Sequence, residues 1–210
     1  MKNELVFNKS VKNKQVAFVG MAPNIKGKGL GSEIDSFDVV IRTNIYPIPV
    51  EWQKDYGTKC DILALHLKNT DNDYDVKNII TYREVKQKKE NNYILMTQND
   101  RMTVSNAIQN VIGVHPIYAT NGINMMYFSL EGGCSSFKFY GITGYQNKEG
   151  EVVEHHEAQH YVFRMKGGHK KSMRKHPNHN FQVLNDYLRY MLKQGKIEMD
   201  QYSLKYFNNG

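Results

Sequence analysis

Short apolar runs separated by polar, turn-rich stretches set the rhythm of this chain. Val16 to Val19 run into Gly20, and Phe37 to Ile41 end in Arg42-Thr43-Asn44. Apolar runs of this length are the pattern of parallel strands buried on both faces. The same reading predicts strands near Gln15 to Gly20, Phe37 to Arg42, Asp61 to His66, Tyr93 to Thr97, Ser136 to Tyr140 and Ile197 to Met199. Helical stretches are predicted near Thr103 to Ile112, Gly122 to Leu130 and His179 to Lys193. The last carries Val183, Leu184, Tyr187, Leu188, Met191 and Leu192 at helical spacing and stops at Gly195. The Lys- and Asn-rich segments Lys68 to Asn78 and Lys86 to Asn92 read as solvated loops. Alternating strands and helices imply an α/β fold, a largely parallel Rossmann-like sheet flanked by helices. With 210 residues the chain is long enough for one sizeable core, so residues 1–210 are expected to form a single domain.

Open α/β sheets bind ligands where their strands end, so the first strand's exit draws the chemistry. Gly20 is expected to turn the backbone sharply there. Gly27, Gly29 and Gly31 thin the following loop, which would let its amides approach phosphate oxygens, with Ser32 or Asp35 capping short helical pieces. The spacing matches neither G-x-G-x-x-G nor G-x-x-x-x-G-K-[ST]. The second strand would deliver Arg42, Thr43 and Asn44 to the same edge.

Charge narrows the partners to anions. The formal net charge is +7 and the isoelectric point about 9.2, which suits nucleic acid, a membrane surface or a nucleotide sugar equally. The densest basic stretch is Lys166 to Lys175, read either as a solvated loop or as a lid that closes over a bound nucleotide and touches lipid headgroups. His156-Glu157-Ala158-Gln159-His160 is a literal H-E-x-x-H, the pattern of a zinc hydrolase, but it lies between loop-like stretches. No run reaches the length of a membrane span and the amino terminus lacks a secretory apolar region, so a cytoplasmic location is expected.

In detail, Val16 to Asn44 resembles the large sialylmotif of family 29 glycosyltransferases, the sialyltransferases. Gly20, Asn24, Gly29, Gly31, Ile34-Asp35, Asp38, Val40-Ile41-Arg42 and Asn44 fit in order, followed by Asp55-Tyr56-Gly57-Thr58-Lys59 as D-x-G-x-K. Tyr118 to Thr143 resembles the small motif, with Ala119-Thr120-Asn121-Gly122 at its helix start and Phe139-Tyr140-Gly141-Ile142 at its strand end. Thr120 or Asn121 would cap a helix whose positive end faces phosphate. His179-Asn180-Phe181 resembles the very short motif, and His160-Tyr161 the remaining one, with His155-His156-Glu157 as the second register.

The resemblance implies a Rossmann-like glycosyltransferase of the GT-A variant that moves sialic acid from CMP-sialic acid to a glycan hydroxyl. The reaction would proceed with inversion and without a metal or other cofactor. His179 would be the base, and a protonated His160 would stabilise the departing phosphate. Gly20, Met21, Asn24, Asn44, Thr120, Asn121, Gly122 and Gly141 would contact the donor, Gly141 by leaving room beside the pocket. The implied partners are a nucleotide-sugar donor and a glycan or glycolipid acceptor, and no nucleic acid. Three departures stand out. Met21 replaces the family's donor-contacting Asn and Leu184 an acidic residue, while Val16 stands where the family has the disulfide partner of Cys134. They keep two alternatives open, a CMP-Kdo-dependent transferase and a degenerate nucleotide-sugar-binding protein.

Overall fold

The computed structural model describes residues 2–44, 46–65, 76, 78–81, 92–146 and 179–208. His155, His156, Glu157, His160 and the basic stretch Lys166 to Lys175 therefore lie outside the described residues. In chain order the described elements are α1 (Lys2–Val11), β1 (Gln15–Val19), a 3-10 turn (Pro23–Ile25), α2 (Gly31–Asp35), β2 (Val39–Thr43), α3 (Val50–Tyr56) and β3 (Ile62–Leu65). They continue with β4 (Asn78–Thr81), β5 (Asn92–Leu95), α4 (Gln98–Ile112), α5 (Asn121–Glu131), β6 (Ser136–Tyr140), α6 (Phe181–Lys193), β7 (Glu198–Met199) and α7 (Gln201–Leu204).

The strands form one seven-stranded sheet in the order β5-β4-β3-β2-β1-β6-β7, and each neighbouring pair is parallel. Strands β1 to β5 build outward in one direction, after which β6 returns to the other side of β1. The order reverses between β1 and β6, and that reversal opens a crevice at the carboxyl ends of these two strands.

Both sheet faces are dry, as the apolar runs require. Val16 and Phe18 of β1 join one core with α4, α5 and α6 through Val104, Ile123, Met126 and Leu188. Ala17 and Val19 point into a second core with Ile34 of α2, Tyr56 of α3 and Tyr140. The period-two alternation of strand side chains thus divides four consecutive residues between two apolar layers.

Several predicted boundaries move. Asn78, expected in a solvated loop, begins β4, and Ile79 and Ile80 are each only 1 % exposed. Helix α4 starts at Gln98 rather than near Thr103, because Thr97 and Asp100 form a reciprocal capping box. Strand β5 accordingly stops at Leu95 instead of running to Thr97. Strand β2 begins at Val39, after Asp38 has turned its carboxylate to accept from the Gln15 amide at 2.9 Å. Helix α6 begins at Phe181, with the Asn180 side chain accepting from the Val183 amide at 3.3 Å, so His179 stands just outside it.

Candidate active site at the strand ends

Two glycines meet where β1 and β6 end. The Gly20 amide donates to the Tyr140 carbonyl at 2.8 Å and the Ala22 amide to the Gly141 carbonyl at 2.9 Å. A Cβ on Gly20 would lie 2.4 Å from the Gly141 carbonyl oxygen, so this residue is needed for close approach of two backbones rather than for a left-handed turn. Gly141 does adopt a left-handed backbone, with φ +62. The space beside it is filled by the Gly20 carbonyl and Ile25, so Gly141 supports the crevice floor and leaves no room for a ligand at its own Cα.

The glycine-rich loop corrects the phosphate expectation. The Gly27 and Gly29 amides donate to the Asp55 carboxylate at 2.7 and 2.8 Å. An internal anion from α3 thus occupies the amides expected to reach phosphate. Burial is the largest influence on Asp55 and raises its pKa. The amides of Gly29, Gly27 and Lys28, with the Lys54 charge, act together against it and hold the carboxyl below its ordinary range. Gly31 lets α2 pack on α3, where a Cβ would lie 2.3 Å from the Gln53 carbonyl oxygen.

Other charged motif residues are also structural. Asp35 caps no helix start; it ends α2, and its carboxylate accepts from the Thr58 amide at 2.8 Å, the Thr58 hydroxyl at 2.9 Å and the Lys59 amide at 2.9 Å. Arg42, 2 % exposed, donates to the Lys59 and Tyr56 carbonyls, each at 2.7 Å, and is thus spent inside the fold. The Tyr56 hydroxyl donates to the Ala22 carbonyl at 2.8 Å, tying α3 to the residue that follows Met21. Met21 itself packs partly buried against the second core.

Further residues of this edge arrive from the end of β2 and the start of α5. Asn44 follows β2 with φ +61. Beside it, the Thr43 hydroxyl accepts from the Asn121 side-chain amide at 3.1 Å, which brings the start of α5 to the end of β2. Thr120 occupies the α5 N-cap, one of the two positions expected, but its side chain makes no hydrogen bond to the helix. Gly122 lets α5 settle on the sheet, where a Cβ would lie 3.1 Å from the Phe18 ring and 3.3 Å from the Phe139 ring.

Asn24 is aimed by a buried network that sequence reasoning missed. Its side-chain amide donates to the Ile142 carbonyl at 3.2 Å and to Ser203 Oγ at 3.1 Å. Ser203 Oγ also accepts from the Ile142 amide at 3.1 Å, and its own proton goes to the Asp200 carboxylate. Asp200 accepts in addition from the amides of Gly141, Tyr202 and Ser203 at 3.1, 2.8 and 3.0 Å. With its donors committed, Asn24 keeps its acceptor oxygen buried in the fold without a hydrogen-bond partner, so the side chain holds the turn after β1 to the Ile142–Ser203 network. The legible signal was Asp200-x-x-Ser203, a helix-start pair just beyond the Lys196-Ile197 strand motif.

His179 stands at the same edge. Its Nδ1 lies 2.8 Å from the Tyr118 carbonyl oxygen, two residues before the Thr120 cap. A carbonyl only accepts, so Nδ1 carries the hydrogen and the neutral imidazole keeps its lone pair on Nε2. Leu184, in place of the expected acid, is 1 % exposed in the first core. Cys60 and Cys134 are free thiols, and burial pushes Cys60 up to about 12, so it is no thiolate nucleophile at neutral pH. Among the described residues no cluster of three or more His, Cys, Asp or Glu has metal-binding geometry, and no helix is long and apolar enough to cross a membrane.

Residues 2–101 match the model of glycosyltransferase family 29 (sialyltransferase). No curated protein matches the chain. Among solved structures, a crystal structure of a mammalian sialyltransferase superposes with a TM-score of 0.64 at 14% identity, covering 95% of this chain and 78% of that one. A mammalian sialyltransferase in complex with Gal-beta-1-3GalNAc-ortho-nitrophenol gives 0.63 at 17% identity, covering 92% and 71%. The chain is sialyltransferase-like, aligned with glycosyltransferase family 29 in sequence over residues 2–101 and with the sialyltransferase fold over nearly its whole length.

Proposed function

We propose that this sialyltransferase-like glycosyltransferase moves sialic acid from CMP-sialic acid to a hydroxyl of a glycan or glycolipid, with inversion and without a metal. The observation that carries the reading is the meeting of His179, the start of α5 and the ends of β1, β2 and β6 at one sheet edge. His179, protonated on Nδ1 and basic on Nε2, takes the acceptor proton as the hydroxyl attacks the anomeric carbon. The first amides of α5, at Asn121 and Gly122, and the helix dipole stabilise the departing phosphate. A protonated His160 stabilises the departing phosphate in this reading, and Asn44 and Asn24 fix the nucleotide. CMP is already a good leaving group, so the chemistry does not call for a cation.

The test is CMP release from CMP-sialic acid and, separately, CMP-Kdo, with an acceptor glycan and EDTA present. Release from CMP-sialic acid is expected, and His179→Ala should lower turnover by about two orders of magnitude or more while CMP still binds. Release from CMP-Kdo alone replaces the donor. Binding without release replaces the enzyme with a binding module, and release only with added zinc points to His156-Glu157-x-x-His160. Unchanged turnover in His179→Ala removes the assignment of the base.

A further inference from the structure

Between α4 and α5 the chain passes under His179 as a short strap, residues 115–118, with an unusual backbone. Ile117 has φ +66, a left-handed conformation that β-branched residues avoid and that persists only where its surroundings enforce it. The enforcement is visible. The Ile117 amide donates to His115 Nδ1 at 3.1 Å, and Ser105 Oγ donates to the Ile117 carbonyl at 3.2 Å. The Asn180 amide donates to the Pro116 carbonyl at 3.2 Å. The Arg101 guanidinium lies 4.0 Å from the centre of the Tyr118 ring. Arg101 and Ser105 stand one helical turn apart on one face of α4, so that face grips both halves of the strap. Opposite, Ile117 forms an isolated antiparallel bridge with His179, and the Tyr118 carbonyl takes the His179 Nδ1 hydrogen at 2.8 Å.

The geometry points to Ser105 and Arg101 as positioning residues that lock the strained Ile117–Tyr118 strap and so hold His179 in its Nδ1-protonated tautomer. A relaxed Ile117 would rotate the adjoining peptide and carry the Tyr118 carbonyl away from Nδ1. The imidazole would then revert toward the Nε2-protonated form that it prefers in water, which has no lone pair on Nε2 for a proton. The effect on turnover rests on the transferase reading; the tautomer does not.

The experiment uses the full chain labelled with 15N-histidine, with long-range proton–nitrogen spectra at pH 8. His179→Gln identifies the His179 signals among 8 histidines. The unaltered protein should show His179 protonated on Nδ1. Ser105→Ala/Arg101→Met should give a mixture of tautomers and lower kcat about ten-fold at unchanged donor KM. Arg101→Met alone is read the same way if the double variant does not fold. A fully Nδ1-protonated His179 in the variants, or an Nε2-protonated one in the unaltered protein, overturns the proposal. The expected tautomer shift with no turnover from any CMP donor upholds the positioning role and removes the transferase reading instead.

Discussion

Gly20 shows how little latitude a single position has in this fold. Its hydrogen occupies the space where a methyl would meet the Gly141 carbonyl oxygen at 2.4 Å and Ile142 Cγ2 at 2.7 Å. The oxygen belongs to a strand end, so it cannot step aside as a flexible side chain would. Gly20→Ala should therefore cost about 2 kcal/mol in urea unfolding at neutral pH; a loss below about 0.5 kcal/mol would show that the strand ends separate freely. Legibility at this scale was uneven. The sequence marks Gly20 and Gly141 as special, but the reasons expected, a sharp turn and an open pocket, differ from the one found. Asn24 was visible as a motif residue. Its partner Ser203 lies 179 positions away and only folding joins them.

At the scale of elements, the loop between the 3-10 turn and α2 is a clasp. Gly27 and Gly29 carry left-handed φ values of +72 and +68, which aim their amides at the Asp55 carboxylate of α3. Asp55 has its pKa lowered, so its contribution to stability is present above the unfolded carboxylate range and fades as pH falls through the folded value. Asp55→Asn should be clearly less stable than the parent at pH 7, and the gap should narrow below about pH 4. Paired urea titrations at pH 7 and pH 3 check this, and a gap that widens in acid would contradict it. The central strands and α5 were readable because apolar runs and helical spacing are local signals. Strand β4 was not, since two isoleucines between polar stretches give no run long enough to register. Helix α4 was placed late because Asp100 answers Thr97 in its capping box, where the usual signature has Glu or Gln.

For the molecule as a whole, the strand order depends on the last described residues. Strand β7 closes the far side of β6, and the following turn delivers Asp200 back beneath the crevice, where it accepts from the Gly141 amide. Removing that carboxylate leaves several buried donors without partners. Asp200→Ala should cost about 3 kcal/mol and weaken CMP binding, both measurable by thermal unfolding with and without the nucleotide. Stability loss with intact binding would separate the carboxyl-terminal segment from the crevice. The parallel architecture was predictable from alternation alone, whereas the strand order was not, because pairing β6 beside β1 is a long-range choice.

The two carboxylates that occupy the motif's amides, Asp35 and Asp55, have a practical corollary. Much of what makes the amino-terminal segment recognisable works as a chassis that holds itself together with or without cargo. Thr43, Asn44 and Asn121, half-buried at the strand ends, take no part in those carboxylate contacts. Re-tooling them for a different sugar acid should be tolerated by the scaffold, which makes this small protein a suitable starting point for directed changes of donor.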